Sequence, residues 1–173
     1  MRIAILSDTH LTRSTAKLDQ LLMQLENMDL IIYAGDYTDC QTVERLQDRG
    51  RFAGVWGNGD PDDIRALLPE KTILPLGPYR MGIFHGHGTS GSTPQRAYDM
   101  FKEDAVDMIV FGHSHQPAIF TKKGVLMLNP GSPTNKRQER WFSYILLELA
   151  GSRMEARLIM TENPPKCQEP ATS

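Results

Sequence analysis

The chain has 173 residues, with 21 acidic and 19 basic side chains that leave a formal net charge of −2. This length suits one domain with a substantial core, and the balanced charge gives no electrostatic basis for specific nucleic-acid binding. No apolar run approaches the roughly 20 residues of a membrane span, so no membrane partner is expected. The two cysteines, Cys40 and Cys167, lie far apart and form no CxxC motif. We therefore expect reduced thiols and a cytoplasmic location.

The first third of the chain predicts alternating strands and helices. Buried strands are expected at three short apolar runs, residues 2–6, 29–35 and 51–56. Leucines at helical spacing predict a helix over 14–26, with Ser14 or Thr15 as its N-cap. A second helix is expected over 39–48. Near-continuous apolar strands joined by amphipathic helices are typical of a parallel sheet with both faces covered.

The rest of the chain follows a different pattern. A short helix is expected to begin at Asp60-Pro61, with Asp60 as N-cap, and to end before Pro69. Beyond it, one more helix is expected at 93–103. Strands are expected at 71–76, 79–84, 105–112, 141–149 and 153–160, with a hairpin at 117–129 that turns at Lys123-Gly124. Mixed sheets with helices outside explain this order better than a simple doubly wound fold.

The domain organisation follows from the same patterns. We expect a single domain over residues 1–160. From Thr161 the sequence is polar and rich in proline, which predicts a mobile tail over 161–173.

Five polar clusters each follow a predicted strand, and together they contain every histidine of the chain. They are Asp8-Thr9-His10, Gly35-Asp36, Gly57-Asn58-Gly59-Asp60, His85-Gly86-His87 and Gly112-His113-Ser114-His115. Each cluster alone has a structural explanation, because Asp caps helices, Asn-Gly forms tight turns and single histidines pack in cores. In open α/β sheets, however, ligands bind at the carboxyl ends of strands. Five clusters at five strand ends therefore favour one shared site.

The clusters supply seven candidate metal ligands with oxygen or nitrogen donors: Asp8, His10, Asp36, Asn58, His85, His113 and His115. A structural zinc takes four ligands and usually includes cysteine, so this set is too large for it. Imidazole and carboxylate donors without thiolate favour Mn²⁺, Fe²⁺, Co²⁺, Ni²⁺ or Zn²⁺ over Ca²⁺. Two such ions about 3.5–4 Å apart can clamp the oxygens of a phosphoryl displacement and lower the pKa of a bound water. The set therefore predicts two divalent ions.

The ordered motifs D-x-H, GD, GN-x-D, HGH and GHSH, within residues 3–137, resemble those of the calcineurin-like metallophosphoesterase superfamily. "GNGD" in place of "GNHE", and "NPGSPTNKR" at 129–137, resemble its small prokaryotic phosphodiesterase branch. The resemblance implies an α/β fold, a four-layer αββα sandwich of two mixed β-sheets flanked by helices. It also implies that Asp36 bridges two ions together with a water or hydroxide. One ion would be held by Asp8, His10 and His115, and the other by Asn58, His85 and His113.

The resemblance thus predicts a dinuclear-metal-dependent phosphodiesterase that uses the metal-bridging hydroxide as its nucleophile. Asp36 and Asn58 are then catalytic as well as ligands. Mn²⁺ is the expected cofactor, with the other first-row ions as alternatives, and the expected partner is a small phosphate-ester substrate.

One departure from the family pattern affects the substrate. Gly59 stands where related phosphomonoesterases carry a histidine that is thought to protonate the leaving group, which favours a diester here. His87 is the candidate substitute acid; alternatively it packs in its loop or binds phosphate. Arg137, within the family-like segment, is the best candidate for a phosphate contact among the cations Lys136, Arg137 and Arg140. The alternative is a solvated turn.

Two other functions remain open at this point. The first is a phosphomonoesterase in which His87 serves as general acid. The second is a protein-binding scaffold, because one retromer coat subunit has this fold with a degraded metal site. All seven ligand positions here keep ligand-capable residues, which favours catalysis. The strand pair after residue 141 can expose a sheet edge, so a homo-oligomer is also a prediction.

Overall fold

The computed structural model describes residues 1–11 and 15–164. Its described helices are α1 (Thr15–Gln24), α2 (Cys40–Asp48), α3 (Asp62–Leu67) and α4 (Thr93–Met100). The first five strands are β1 (Arg2–Leu6), β2 (Leu30–Ala34), β3 (Phe52–Val55), β4 (Lys71–Leu76) and β5 (Tyr79–Phe84). The remaining strands are β6 (Met108–Val110), β7 (Ala118–Lys122), β8 (Val125–Asn129), β9 (Phe142–Ala150) and β10 (Arg153–Thr161).

The strands form two mixed five-stranded sheets. The first has the order β10-β9-β1-β2-β3 and the second the order β4-β5-β6-β8-β7. In the first sheet β1, β2 and β3 are parallel, whereas β9 runs antiparallel to both β1 and β10. In the second, β5, β6 and β8 are parallel, whereas β4 and β7 are antiparallel to their neighbours. The predicted mixed sheets and the β7–β8 hairpin at Lys123-Gly124 are confirmed.

Side-chain alternation along the buried strands creates the layers. In β1, Ile3 and Ile5 face the second sheet and pack with residues such as Ile83. Ala4 and Leu6 face the other way, into a cluster formed with the apolar sides of α1, α2 and α3. A third cluster lies where α4 covers the outer face of the second sheet. The order helix, sheet, sheet, helix confirms the predicted αββα sandwich.

Several element boundaries differ from the sequence-based expectations. The prediction that Asp60 caps α3 was wrong: the helix begins at Asp62, and Pro61 occupies the N-cap position without a side-chain cap. Asp60 instead accepts hydrogen bonds from three loop amides, which leaves it no role at the helix end. The helix predicted over 93–103 ends at Met100, and the strand predicted over 105–112 shortens to β6.

Two predicted segments end at other residues in the structure, and two predicted features lie outside the described residues. Helix α1 ends at Gln24 rather than at residue 26, and the predicted cap Ser14 lies outside the described residues. Strand β10 extends to Thr161, one residue past the predicted domain end. Cys167 and the rest of the predicted tail beyond residue 164 lie outside the described residues. None of the described helices is long and apolar enough to cross a membrane.

Candidate metal centre

The five polar clusters meet at one edge of the two sheets, where their strands end. The parallel strands of each sheet deliver their following loops to the same side. Backbone hydrogen bonds then join the loops: the Asp8 amide donates to the Gly35 carbonyl (3.0 Å) and the His10 amide to the Asp36 carbonyl (3.2 Å). The Gly112 amide likewise donates to the His85 carbonyl (2.9 Å). The site is therefore a set of mutually bonded loops rather than separate turns.

Backbone strain is concentrated in these loops. Five of the seven predicted ligands have a left-handed backbone: Asp8 (φ 56°), His10 (φ 46°), Asp36 (φ 62°), His113 (φ 66°) and His115 (φ 58°). This conformation is uncommon for residues other than glycine, and it persists where the surrounding structure over-determines it. Strained non-glycine residues cluster at functional sites, so their concentration here marks these loops as functional.

Asp8 is fully buried, and its two oxygens have different surroundings. Oδ2 accepts hydrogen bonds from Ser7 Oγ (2.7 Å) and from the His113 amide (2.9 Å). Oδ1 is buried and has no hydrogen-bond donor among the described residues. It lies 3.3 Å from Nε2 of His115 and 4.0 Å from Nε2 of both His10 and His85. Three imidazoles thus surround a carboxylate oxygen that nothing in the described chain satisfies.

The two buried histidines, His85 and His115, are fixed in the same way. Nδ1 of His85 donates to the carbonyl of Ala34 (2.6 Å), and Nδ1 of His115 donates to the carbonyl of Asn135. A proton on Nδ1 leaves the Nε2 lone pair free to bind a metal, which is the usual arrangement of metal-bound histidines. Nε2 of His85 is buried without a hydrogen-bond partner among the described residues. Both rings are therefore oriented as ligands.

Asp36 connects the two sides of the centre. Its Oδ1 lies 3.3 Å from Nε2 of His85, and its Oδ2 lies 3.5 Å from Nε2 of His10. Oδ1 also accepts from the Gly59 amide (2.8 Å). Burial opposes ionisation of Asp36, but the interaction of its carboxylate with the His85 imidazole and the hydrogen bond from the Gly59 amide outweigh burial and hold the pKa of Asp36 well below its usual range. A carboxylate is therefore kept ionised in the interior.

The ligand atoms form two groups in which all atoms lie within 4.8 Å of one another: Asp8, His10 and His115, and Asp8, Asp36 and His85. Asp8 belongs to both groups. Buried carboxylates are usually paired or bound to metal, and here Asp8 Oδ1 and His85 Nε2 lack any hydrogen-bond partner among the described residues. Nitrogen and oxygen donors without thiolate suit a first-row divalent ion. The residues present therefore fit a divalent metal.

Two predicted ligands are not brought into these groups. Asn58 is exposed on the turn after β3, where its carbonyl accepts from Arg65 Nη2 (3.0 Å). His113 is partly exposed, and its ring meets that of His85 edge-on with centroids 5.2 Å apart. Burial and the charge of His85 lower the pKa of His113, which favours the neutral form that binds metal. Neither residue belongs to the two groups, although the ring of His113 contacts that of His85.

His87 lies outside both ligand groups, against the wall of the site. Its Nε2 is 3.2 Å from Oε1 of Glu70, and its ring stacks on Trp56 with centroids 4.9 Å apart. Its Nδ1 is buried without a hydrogen-bond partner among the described residues. Burial and the charge of His85 lower the pKa of His87. His87 would have to give up these contacts to protonate a leaving group, so packing in the loop is the interpretation that the contacts favour.

The three cations of the 136–140 segment have different surroundings. Nζ of Lys136 donates to the carbonyl of Arg140 (2.8 Å) and lies over the ring of Phe142. The guanidinium of Arg140 lies over the ring of Trp141. Arg137 has a left-handed backbone (φ 48°), and its Nη1 lies 3.5 Å from the carbonyl of His113. Among these three, only Arg137 contacts a predicted metal ligand, His113.

Two residues that position the site were missed or misassigned from the sequence. Ser7 supports Asp8, and its only sequence signal is its place directly before that residue. Asp60 was predicted as a helix cap. It instead accepts from the amides of Gly57 (2.7 Å), Thr38 (2.8 Å) and Asp36 (2.9 Å), and no histidine contacts it among the described residues. Asp60 therefore fixes the backbone around Asp36.

Two glycines are required by close approach of the backbone to the carboxylates. A Cβ at Gly57 would lie 2.2 Å from Oδ1 of Asp36, and one at Gly112 would lie 1.9 Å from Ser7 Oγ. Gly59 is less crowded, since its Cβ would lie 3.0 Å from the same Asp36 oxygen. Gly59 thus lies beside the carboxylate that joins the two groups, and it brings no proton donor there.

Comparison with known sequences agrees with this geometry. The model of the calcineurin-like phosphoesterase superfamily domain matches residues 1–152. A Methanocaldococcus jannaschii protein named "Probable metallophosphoesterase" is 34% identical over 164 residues, which cover 94% of this chain and 82% of that protein. A phosphodiesterase of the same organism is 23% identical over 144 residues, covering 76% of this chain and 83% of that protein.

Solved structures share the fold. A Thermotoga maritima protein solved by NMR is 34% identical, with a TM-score of 0.72 over 92% of this chain and 99% of that one. Vps29 of Chaetomium thermophilum is 17% identical, with a TM-score of 0.72 over 93% of this chain and 97% of that one. The family match over most of the chain, together with the buried carboxylate–histidine centre, shows that this protein belongs to the calcineurin-like phosphoesterase superfamily.

Proposed function

We propose that this protein is a metal-dependent phosphodiesterase that holds two divalent ions at the described edge. The observation that carries the proposal is the pair of ligand groups, buried except for the partly exposed His10, that share Asp8 and are linked by Asp36. Asp8 Oδ1 and His85 Nε2 face this centre without a hydrogen-bond partner among the described residues. A single ion would leave the second group of buried ligand atoms unsatisfied, whereas two ions use both groups.

The proposed assignment follows the two groups. Asp8, His10 and His115 would hold one ion, and His85 would hold the other. Asp36 lies close to both His85 and His10, so its carboxylate would contribute to holding both ions. Asn58 and His113 would complete the ligands of the second ion, because the ring of His113 meets that of His85 and Asn58 lies between Gly57 and Gly59, which both approach Asp36.

The ions and the protein chain make different contributions to hydrolysis. Bound divalent ions neutralise charge on the phosphate and lower the pKa of a water, so that hydroxide is available near neutral pH. The carbonyls of Ala34 and Asn135 fix the tautomers of His85 and His115. Ser7 and the His113 amide orient Asp8. The chain thus supplies ligands that need little rearrangement when substrate binds.

The preference for a diester comes from Gly59. Hydrolysis forms a bond from the water oxygen to phosphorus and breaks the bond to the leaving oxygen, which departs as an anion or takes up a proton. Gly59 has no side chain to donate that proton, and His87 is engaged with Glu70 and Trp56. Substrates whose leaving group departs readily are therefore favoured. The phosphodiesterase named among the relatives supports the same substrate class.

The test compares a diester with a monoester that releases the same phenol. Metal-stripped protein is titrated with Mn²⁺, and hydrolysis of bis(p-nitrophenyl) phosphate is compared with hydrolysis of p-nitrophenyl phosphate. We expect Mn²⁺-dependent cleavage with the higher kcat/KM for the diester. Preferred cleavage of the monoester would favour the alternative with His87 as general acid. Absence of turnover with Mn²⁺, Ni²⁺, Zn²⁺, Fe²⁺ and Co²⁺ would refute the proposal.

A further inference from the structure

A cavity of about 490 Å³ borders the proposed metal centre. It is lined by Ser114, Gln116, Lys136, Arg137, Gln138 and Glu139. Ser114 lies between the candidate ligands His113 and His115, so the cavity begins where the metal loop ends. Ligand pockets in proteins are typically about 300–1,000 Å³, which places this cavity in the range of a small organic group.

The wall of the cavity is fixed to the metal loops by hydrogen bonds. Ser132 Oγ donates to the Asp8 carbonyl (2.8 Å), and Thr134 Oγ1 donates to the Thr9 carbonyl (2.6 Å). The carbonyl of the next residue, Asn135, accepts from Nδ1 of His115. The segment that leads into the cavity wall at residue 136 is therefore hydrogen-bonded to Asp8, Thr9 and His115. This rigidity makes the cavity and the proposed reaction site one unit.

The lining of the cavity is polar and has free hydrogen-bonding capacity. The side-chain amides of Gln116 and Gln138 make no hydrogen bond within residues 1–11 and 15–164. Glu139 adds a carboxylate, whereas the ammonium of Lys136 is held at the carbonyl of Arg140. No aromatic ring lines the cavity among its named residues. Such a surface favours a group with several hydroxyls over an apolar or stacking group, and the carboxylate disfavours a second phosphate.

Resting on the proposed phosphodiesterase function, we propose that this cavity is a subsite for the second ester group of the substrate, a neutral, hydroxyl-rich group such as a sugar. Arg137 lines the cavity, and its Nη1 lies 3.5 Å from the carbonyl of His113. Its guanidinium pairs with a non-bridging oxygen of the phosphate. Gln116, Gln138 and Glu139 then bind the hydroxyls. The site thereby distinguishes diesters by the ester group that stays on the phosphate when the leaving group departs.

The test uses two diesters that each carry a six-membered ring on a methylene group and release the same p-nitrophenolate. One is the p-nitrophenyl phosphate diester of the 6-hydroxyl of methyl glucoside, and the other is cyclohexylmethyl p-nitrophenyl phosphate. With Mn²⁺-loaded protein we expect kcat/KM for the sugar diester to exceed that for the cyclohexyl diester by about tenfold, the size of one or two hydrogen bonds. Gln138→Leu, which keeps the side-chain size, is expected to lower that ratio at least about threefold.

Arg137 is tested with the same pair. Arg137→Gln is expected to lower kcat/KM for both diesters by about tenfold, and Arg137→Lys to restore part of the loss. Arg140→Gln is the matched control, because it removes the same charge from the same segment but does not line the cavity. Equal rates on the two diesters in the unaltered protein, or equal losses in Arg137→Gln and Arg140→Gln, would overturn the subsite. Absence of Mn²⁺-dependent cleavage of either diester would instead refute the proposed function.

Discussion

The two histidine pairs of the site, His85/His87 and His113/His115, have the same sequence pattern but different surroundings. In each pair one ring is buried and donates Nδ1 to a backbone carbonyl, as His85 does to Ala34 and His115 to Asn135. The other ring is partly exposed: His87 contacts Glu70 and His113 contacts the edge of His85. The comparison teaches that a backbone carbonyl, rather than the spacing of the histidines, decides which ring is held with Nε2 toward the centre.

The largest expected effect comes from changing His85, the buried ring of the first pair. His85→Asn removes a buried ligand atom that faces both Asp8 and Asp36. We expect kcat/KM for bis(p-nitrophenyl) phosphate to fall at least about a hundredfold. Loss of a residue that only hydrogen-bonds to a metal ligand already lowers metal affinity or activity about 10–100-fold, and loss of a ligand should cost more. Steady-state kinetics together with the Mn²⁺ content of the purified variant measure the effect. A loss below tenfold would mean that His85 is no ligand.

A smaller effect is expected from the donor that orients Asp8. Ser7→Ala removes the hydroxyl that donates to Asp8 Oδ2 and should weaken Mn²⁺ binding about tenfold. Ser143→Ala is the matched control, since Ser143 is another buried serine, whose hydroxyl donates to the carbonyl of Pro130. Isothermal titration of both metal-stripped variants gives the affinities. Equal weakening in the two variants would show a general packing effect instead of support for Asp8.

The pH dependence of stability tests the ion pair of Asp36 with His85 in the metal-free protein. A carboxyl group whose pKa is lowered on folding stabilises the fold above its unfolded pKa, about 3.9, and this contribution is lost as the pH falls toward the folded value. We expect the stabilisation by Asp36 to decrease by about 1 kcal/mol between pH 5 and pH 3. Urea unfolding of the unaltered protein and of Asp36→Asn measures it. A difference between the two proteins that stays constant from pH 5 to pH 3 would contradict the assigned pKa direction.

The smallest effect is expected from the outer ring of the first pair. His87→Asn removes contacts with Glu70 and Trp56 but no atom of either ligand group. We expect kcat on a substrate with only poor leaving groups, such as a dialkyl phosphate, to change less than about threefold. A loss of a hundredfold on that substrate, with little loss on bis(p-nitrophenyl) phosphate, would restore His87 as the general acid.

Much of this architecture could be predicted from the sequence because the signals are local. Apolar runs bounded by glycine and polar residues marked the strand ends, and the parallel order of β1, β2 and β3 then brought Asp8, His10 and Asp36 to one edge. The two mixed sheets followed from the change from helix-linked strands to hairpins. The hairpin turn at Lys123-Gly124 was likewise set by its own residues.

The rest could not be predicted, because it depends on backbone atoms that have no sequence signature. The carbonyls of Ala34 and Asn135, which orient His85 and His115, belong to residues that offer no distinctive side chain for this role. Asp60 was misassigned because Asp-Pro is a common helix start, whereas the tertiary structure uses its carboxylate to hold the amides around Asp36. The spacing of the motifs also could not show that Asp8 belongs to both ligand groups.

The most direct test of the central claim is the number of Mn²⁺ ions bound per chain, measured by equilibrium dialysis of the metal-stripped protein and by the Mn²⁺ electron paramagnetic resonance spectrum. Two ligand groups linked by Asp36 predict two ions per chain and the spectrum of a coupled pair. In Asp36→Asn we expect the coupled spectrum to disappear. One ion per chain, or two ions without coupling in the unaltered protein, would contradict the dinuclear site.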